Sequence, residues 1–298
     1  MSPTLSDLHQ QFCHYSTVFK GNTPKTIAWL KHAIRCYQGH TQIDSIDQVS
    51  RQNVQDWLQT GSLVKNWNQR SIRGKMTALS LFFKWCVQNE FLESNPLDGI
   101  DRPKLPLQLP KSLSQEKVIR LLECTRTFRY QNSLERARAI AVMNLLVHTG
   151  IRKKELLNLQ LDDINLQNSS LLVRAGKGQK DRIIPLTEKL VLILNAYLHE
   201  RNKSAFLCQS FFTSSRLDAP LNESAFNRLV AKLREKSGIN FSAHKLRHTF
   251  ATLMLEGGCN IYSLSRMLGH SDIKTTTIYL SVSMKHLKEE IVKHPLNF

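Results

Sequence analysis

Between Asp101 and Leu113 the sequence places Pro103, Pro106 and Pro110 beside Lys104 and Lys111. A proline fixes its own φ and removes a backbone donor, so prolines at this density leave no room for a helical turn. The stretch reads as a semi-rigid extended linker. Everything else in the 298-residue chain has to fold on one side of it or the other. Each side is long enough to bury a core of its own. The expected organisation is a first domain over residues 1–100, a linker over 101–113 and a second domain over 114–298.

Before the linker, apolar residues recur at helical spacing. Asn22-Thr23-Pro24 supplies a cap and a first-turn proline ahead of Ile27, Leu30, Ile34 and Tyr37. Another candidate helix starts after Ser50 with Val54, Trp57 and Leu58, and a third runs from Ser71 through Ile72, Met76, Leu79, Phe83 and Cys86. No alternating pattern intervenes, so the first domain is expected to be all-helical. Arg70, Arg73, Lys75 and Lys84 lie on or beside the third helix, where they either follow nucleic-acid phosphates or form an ordinary solvated face. After the linker, helical spacing resumes at Val118, Leu121 and Leu122, and again from Leu134 to His148, with Gly150 placed to end that helix. Leu171-Leu172-Val173 and Ile183-Ile184-Pro185 flank Gly176-Lys177-Gly178-Gln179-Lys180-Asp181, which signals a hairpin. The expected fold is therefore mainly α, with an all-helical first domain and a mostly helical second domain carrying a small antiparallel β-sheet.

Charge narrows the partner. Lysine and arginine number 41 against 24 acids, a net charge of +17. Residues 1–100 hold 10 basic and 7 acidic residues and the remainder 31 and 17, so the excess sits in the second part. A basic balance of this size suits a polyanion such as nucleic acid. The six cysteines, at 13, 36, 86, 124, 208 and 259, form no C-x-x-C pair and follow no secretory leader, so they read as reduced thiols of a cytoplasmic protein. No apolar run approaches the roughly 20 residues that span a bilayer, so no membrane partner is expected.

Several short motifs remain, each of which also has a bland reading. Thr149-Gly150-Ile151-Arg152 ends one helix and opens another carrying Glu155, and an arginine just past a helix-breaking glycine can present its fork to a phosphate. Lys177 stands between two glycines at the hairpin tip, close to Lys180 and Arg182, which suits DNA but is also what a solvated turn looks like. His244-Lys245-Leu246-Arg247-His248 opens a helix on which His244 and Arg247, three apart, share a side and pair an acid/base group with a phosphate clamp. Met267-Leu268-Gly269-His270 closes a helix, and Tyr279 follows in Thr275-Thr276-Thr277-Ile278-Tyr279, where a lone tyrosine is usually core. His244 and His248 at i,i+4 lack the H-E-x-x-H glutamate and have Lys245 and Arg247 between them, which disfavours zinc. Gly176-Lys177-Gly178 lacks the phosphate-loop spacing, so nucleotide hydrolysis has no support and no cofactor is expected.

Together, Arg152, Lys177, His244-x-x-Arg247, Leu268-Gly269-His270 and Tyr279 stand in the order and approximate spacing of the tyrosine recombinase (phage integrase) family, which the chain resembles over its whole length. Pro103-Lys104-Leu105-Pro106, Leu109-Pro110-Lys111 and the closing His294-Pro295 look most like the Xer-type members. The chain departs from the family pattern at Lys154, where a small residue usually precedes the glutamate.

The resemblance implies a helical core-binding domain over 1–100 and a catalytic domain over 114–298 that ends in an interaction tail. It also implies roles. Tyr279 is the nucleophile and forms a 3′-phosphotyrosine, Arg152 and Arg247 hold the phosphate, His244 is the general base, His270 supports the phosphate, and Lys177 protonates the leaving 5′-oxygen with Lys180 as fallback. Arg70, Arg73, Lys75, Lys84, Lys180 and Arg182 are the expected further DNA contacts. The implied partner is double-stranded DNA carrying paired imperfect palindromic sites, bound by a homotetramer with or without a second recombinase. Residues 284–298 are expected to dock on a neighbouring protomer through Leu287 and Ile291. A phage or transposon integrase of the same family is the alternative, and a non-catalytic DNA-binding accessory protein is the rival from another class.

Overall fold

The computed structural model describes residues 3–105, 112–174, 181–269 and 276. Two compact units emerge, Met1–Leu107 and Gln108–Phe298.

The first unit is four helices, α1 (Leu5–Val18), α2 (Pro24–Thr41), α3 (Arg51–Leu63) and α4 (Gln69–Gln88). Each opens on a polar side chain that accepts the backbone N–H three residues on: Thr4 from Asp7, Thr23 from Thr26, Ser50 from Asn53 and Asn68 from Ser71. Caps of this kind stabilise a helix by about 1 kcal/mol. Asn68 moves the start of α4 back to Gln69 from the Ser71 that apolar spacing suggests. The periodic reading passed over α1, although Leu5, Leu8 and Phe12 behind Thr4 carry its signal, and all three are buried. Leu30, Ile34, Tyr37, Val54, Trp57, Leu79, Phe82 and Phe83 fill the core.

The second unit begins with α5 (Gln115–Thr127), α6 (Ser133–Thr149) and the one-turn α7 (Lys153–Leu157). A three-stranded antiparallel sheet follows, β1 (Ile164–Asn165), β2 (Ser170–Val173) and β3 (Arg182–Pro185), in that order, with Leu171 opposite Ile184 and Val173 opposite Arg182. Helices α8 (Glu188–Asn202), α9 (Glu223–Ser237), α10 (Ala243–Glu256) and α11 (Ile261–Leu268) follow. The expected hairpin strands are β2 and β3. The two-residue β1 and the helices α8 and α9 were not anticipated. Helix α6 is buried on nearly all sides because α5, α8 and α10 pack around it. A smaller cluster, Phe250, Ala251, Leu255, Leu264 and Leu268, joins α10 to α11. The mainly α fold with a small antiparallel sheet matches the sequence reading.

All six cysteines are free thiols. Among the described residues no helix is long and apolar enough to cross a membrane. Lys177, Lys180, His270, Tyr279 and the tail 284–298 lie outside the described residues.

Candidate functional site

Arg152 owes its place to the way α6 stops. Gly150 takes the left-handed conformation, φ 60°, as the C-cap of α6, and its N–H bonds to the carbonyl of Leu146. A β-carbon there would sit 2.4 Å from Cδ1 of Phe250, so the position is closed to other residues by both backbone and space. The chain turns through buried Ile151 and re-enters a helix at Lys153 with Arg152 as the N-cap. Glu155 then reaches back: its Oε2 accepts the backbone N–H of Arg152 at 2.9 Å and its Oε1 accepts from Arg152 Nη1 at 2.7 Å.

The same carboxylate receives a second guanidinium. Arg182, first residue of β3, donates from Nη1 to Glu155 Oε1 at 3.0 Å and from Nη2 to Oε2 at 2.7 Å, a bidentate fork. Burial pushes the Glu155 carboxyl up. The bonds from Arg182 and Arg152 outweigh burial and bring it down to about 2.

Arg247 comes from the second turn of α10 and is buried. Its Nη1 donates to the carbonyl of Gly150 at 2.8 Å and its Nη2 to the carbonyl of Leu268 at 2.6 Å. Both acceptors lie at helix C-termini, where carbonyls lack intrahelical partners and the helix dipole favours a cation. The C-terminus of α11 collects all three arginines: Met267 O accepts from Arg182 Nε at 2.8 Å, Leu268 O from Arg247, and Gly269 O from Arg152 Nη2 at a longer 3.4 Å. Gly269, at φ 65°, leaves the room this needs, since a β-carbon would lie 2.9 Å from the Arg182 side chain. The residues that follow this hub are His270 and, nine further on, Tyr279.

His244 is exposed near the start of α10 and shares a helix face with His248. Their Nε2 atoms are 2.8 Å apart, so one ring donates and the other accepts. Burial, then the neighbouring His244 and Arg247, lower the pKa of His248 to about 4.

The structure thus brings together Arg152, Arg247 and the segment leading to His270, with His244 one turn from Arg247. Two of the expected DNA contacts, Arg182 and Lys75, make close contacts within the protein. The Arg182 side chain is 8% exposed, with its fork on Glu155 and its Nε on Met267 O, so it holds Glu155 from the side opposite Arg152. The Lys75 ammonium lies 4.2 Å from the centroid of Trp67 and 5.6 Å from that of Trp57. It lines a groove with Arg70, Trp29 and His32, whereas Arg73 and Lys84, three turns apart, share another side of α4. Lys154 is exposed on α7, away from the Glu155 carboxylate contacts. Sequence reasoning missed the role of Arg182. Its only signal is strand parity, since Arg182 and the buried Ile184 alternate onto one face.

Residues 111–286 match the model of the phage integrase family. The chain is similar to the tyrosine recombinase XerA of Pyrococcus furiosus, with 38% identity over 76% of this chain and 75% of that protein. It is also similar to the tyrosine recombinase XerD of Rickettsia conorii, with 32% identity over 84% of this chain and 85% of that one. Its fold resembles the crystal structure of the XerH site-specific recombinase bound to a palindromic difH substrate, at a TM-score of 0.77 and 20% identity over 95% of this chain and 83% of that one.

Proposed function

The chain belongs to the phage integrase family and is a tyrosine-type site-specific recombinase, and from that premise we propose that it cuts and rejoins double-stranded DNA through a 3′-phosphotyrosine at Tyr279. The observation that carries this reading is the convergence of Arg152, Arg182 and Arg247 on three successive carbonyls at the end of α11, immediately before His270. Guanidinium groups drawn from α7, β3 and α10 are thereby packed around one point, and Glu155 orients two of them.

Arg152 and Arg247 hold the non-bridging oxygens of the scissile phosphate and offset the charge that builds up during attack, a role worth about 2.7–4 kcal/mol per donor. The Tyr279 hydroxyl has an ordinary pKa of about 10, so it must lose its proton as it attacks, and His244 accepts it. A bond forms between the phenolic oxygen and phosphorus while the bond to the 5′-oxygen breaks. Lys177 supplies the proton that oxygen needs, with Lys180 as second candidate. His270 hydrogen-bonds the phosphate. The phosphotyrosine retains the energy of the phosphodiester, so another strand's 5′-hydroxyl rejoins it by the reverse steps without a nucleotide.

The 1–100 unit then grips the flanking duplex, with Arg73 and Lys84 as phosphate contacts. The substrate is a pair of imperfect palindromes held by a tetramer, in keeping with the palindromic difH site named for XerH. Incubation with a nicked suicide DNA tests the reading. An adduct that survives denaturation, and forms equally in excess chelator, is expected. Tight binding with no adduct would instead identify a non-catalytic DNA-binding protein.

A further inference from the structure

His248 takes no part in the steps above, yet its ring is in direct contact with that of His244. The two are one helical turn apart on α10, their ring centroids are 4.1 Å apart at 74°, and Nε2 faces Nε2 at 2.8 Å. Two facing nitrogens at that distance share one proton. If His244 gains a proton it becomes an imidazolium with hydrogen on both nitrogens, and its Nε2–H then points at His248. The contact survives proton uptake only when His248 is the acceptor. His248 is suited to that, because it is half-buried and its neutral form is favoured beside His244 and Arg247. A neutral His248 accepting at Nε2 carries its own proton on Nδ1. It confines His244 to the tautomer with hydrogen on Nε2 and a lone pair on Nδ1.

We propose that His248 is a positioning residue for strand cleavage: its Nε2 accepts the Nε2–H of His244, leaving His244 Nδ1 as the atom that takes the phenolic proton. The inference rests on the assignment of His244 as base. The proton passes from the Tyr279 hydroxyl to His244 Nδ1, and the Nε2–H stays between the two rings throughout. The arrangement uses a second histidine where other general bases are oriented by a carboxylate.

The test uses the full-length protein labelled with ¹⁵N-histidine, with the His244 signals assigned by their loss in His244→Gln. Two-bond ¹⁵N–¹H correlation spectra read the tautomer directly. In the wild type His244 should be protonated at Nε2, and in His248→Leu it should become a mixture of tautomers. Cleavage of a nicked suicide DNA is measured in parallel. A positioned general base contributes about 10²–10⁴-fold, so His248→Leu should slow cleavage by at least about tenfold with half-site binding unchanged. His248→Gln, whose amide oxygen is an acceptor, should recover most of the rate. A wild-type His244 protonated at Nδ1, or a tautomer that His248→Leu leaves unchanged, overturns the inference whatever the rate. A tautomer that shifts while the rate stays normal overturns the assignment of His244 as base, and the inference with it.

Discussion

The N-terminal unit buries Leu30, Ile34, Tyr37, Trp57, Phe82 and Phe83 together with the polar side chains His9, Ser16, Ser80 and Asn95, none of which is charged at neutral pH. The C-terminal unit has an aromatic core of comparable kind around Tyr197, Phe211, Phe212 and Phe226, but it also buries Arg138, Asp163, Arg201 and Arg247. Burying a charge is costly unless every donor finds an acceptor. Each buried arginine reaches a backbone carbonyl, Arg138 that of Thr213, Arg201 those of Cys208 and Ser210, and Arg247 those of Gly150 and Leu268, although the buried Arg201 Nε is left without a partner. Asp163 is held by Arg174 and by the N–H of Gln160. One unit is held mainly by shape and the other also by fixed charge. The difference fits a division of labour in which the first grips and the second carries out chemistry on a phosphate.

The contrast breaks most visibly at Trp57 and Arg182. Trp57→Ala should cost about 3–5 kcal/mol through a lost aromatic side chain and the cavity left behind. Arg182→Met removes one partner of a buried ion pair, a loss of roughly 3–5 kcal/mol, with Arg152 still holding Glu155 and keeping it at the lower end. Stability alone does not separate the two variants. Their cleavage rates on bound substrate should: Arg182→Met is expected to lose about 10²-fold or more because Glu155, and with it Arg152, is then held from one side only, while Trp57→Ala should weaken binding and leave the bound-state rate nearly normal. Arg182→Lys should not rescue, since a point charge cannot meet both Glu155 oxygens and the Met267 carbonyl. Equal catalytic losses would remove the proposed division of labour.

Arg182 also marks where the sequence ceased to be legible. Arg152, Arg247 and His244 were readable because their motifs are local, as was Gly150, whose cap position follows from the end of the apolar run in α6. Arg182 was not, because Ile183-Ile184 are both apolar and conceal which face of β3 turns inward; Ile184 is buried and Ile183 is 67% exposed. The gathering of three arginines at α11 depends on contacts between residues such as Arg152 and Gly269, which no periodicity encodes. Helices α8 and α9 have capping signals at Thr187 and Asn222 but carry no chemistry-bearing motif.

Acid should distinguish the units more gently. His9 and His248 each have a pKa lowered from 6.5 to about 4, by burial first. Their neutral forms are favoured in the fold, so neither costs stability above pH 6.5, and each unit is destabilised as pH falls from 6.5 through 4. Glu155 adds a term to the C-terminal unit alone. Its folded pKa of about 2 lies below the ordinary 4.5, so its stabilisation is complete above 4.5 and disappears as pH falls towards 2. Hydrogen exchange read by mass spectrometry, unit by unit, should show both loosening between pH 6.5 and 4 and a further C-terminal loss below 4.5 that Glu155→Gln abolishes.

The smallest expected effect is at Lys75. Lys75→Met should cost only about 0.5–1 kcal/mol, the value of a cation–π contact at a partly exposed site. It should reduce DNA affinity less than Arg73→Ala or Lys84→Ala, whose charges are proposed to meet phosphate. A larger affinity loss at Lys75 than at those two would move the DNA-facing side of α4 to the groove beside Trp29.

The most direct measurement is to trap the covalent complex on a nicked suicide substrate, digest protein and DNA, and identify by mass spectrometry the residue that carries the nucleotide. The expected result is a 3′-phosphodiester on Tyr279, with no adduct from the Tyr279→Phe protein and normal adduct formation when Tyr262, an exposed tyrosine on α11, is replaced. A nucleotide found on any other residue, or an adduct that persists in Tyr279→Phe, would contradict the assignment of Tyr279 as nucleophile.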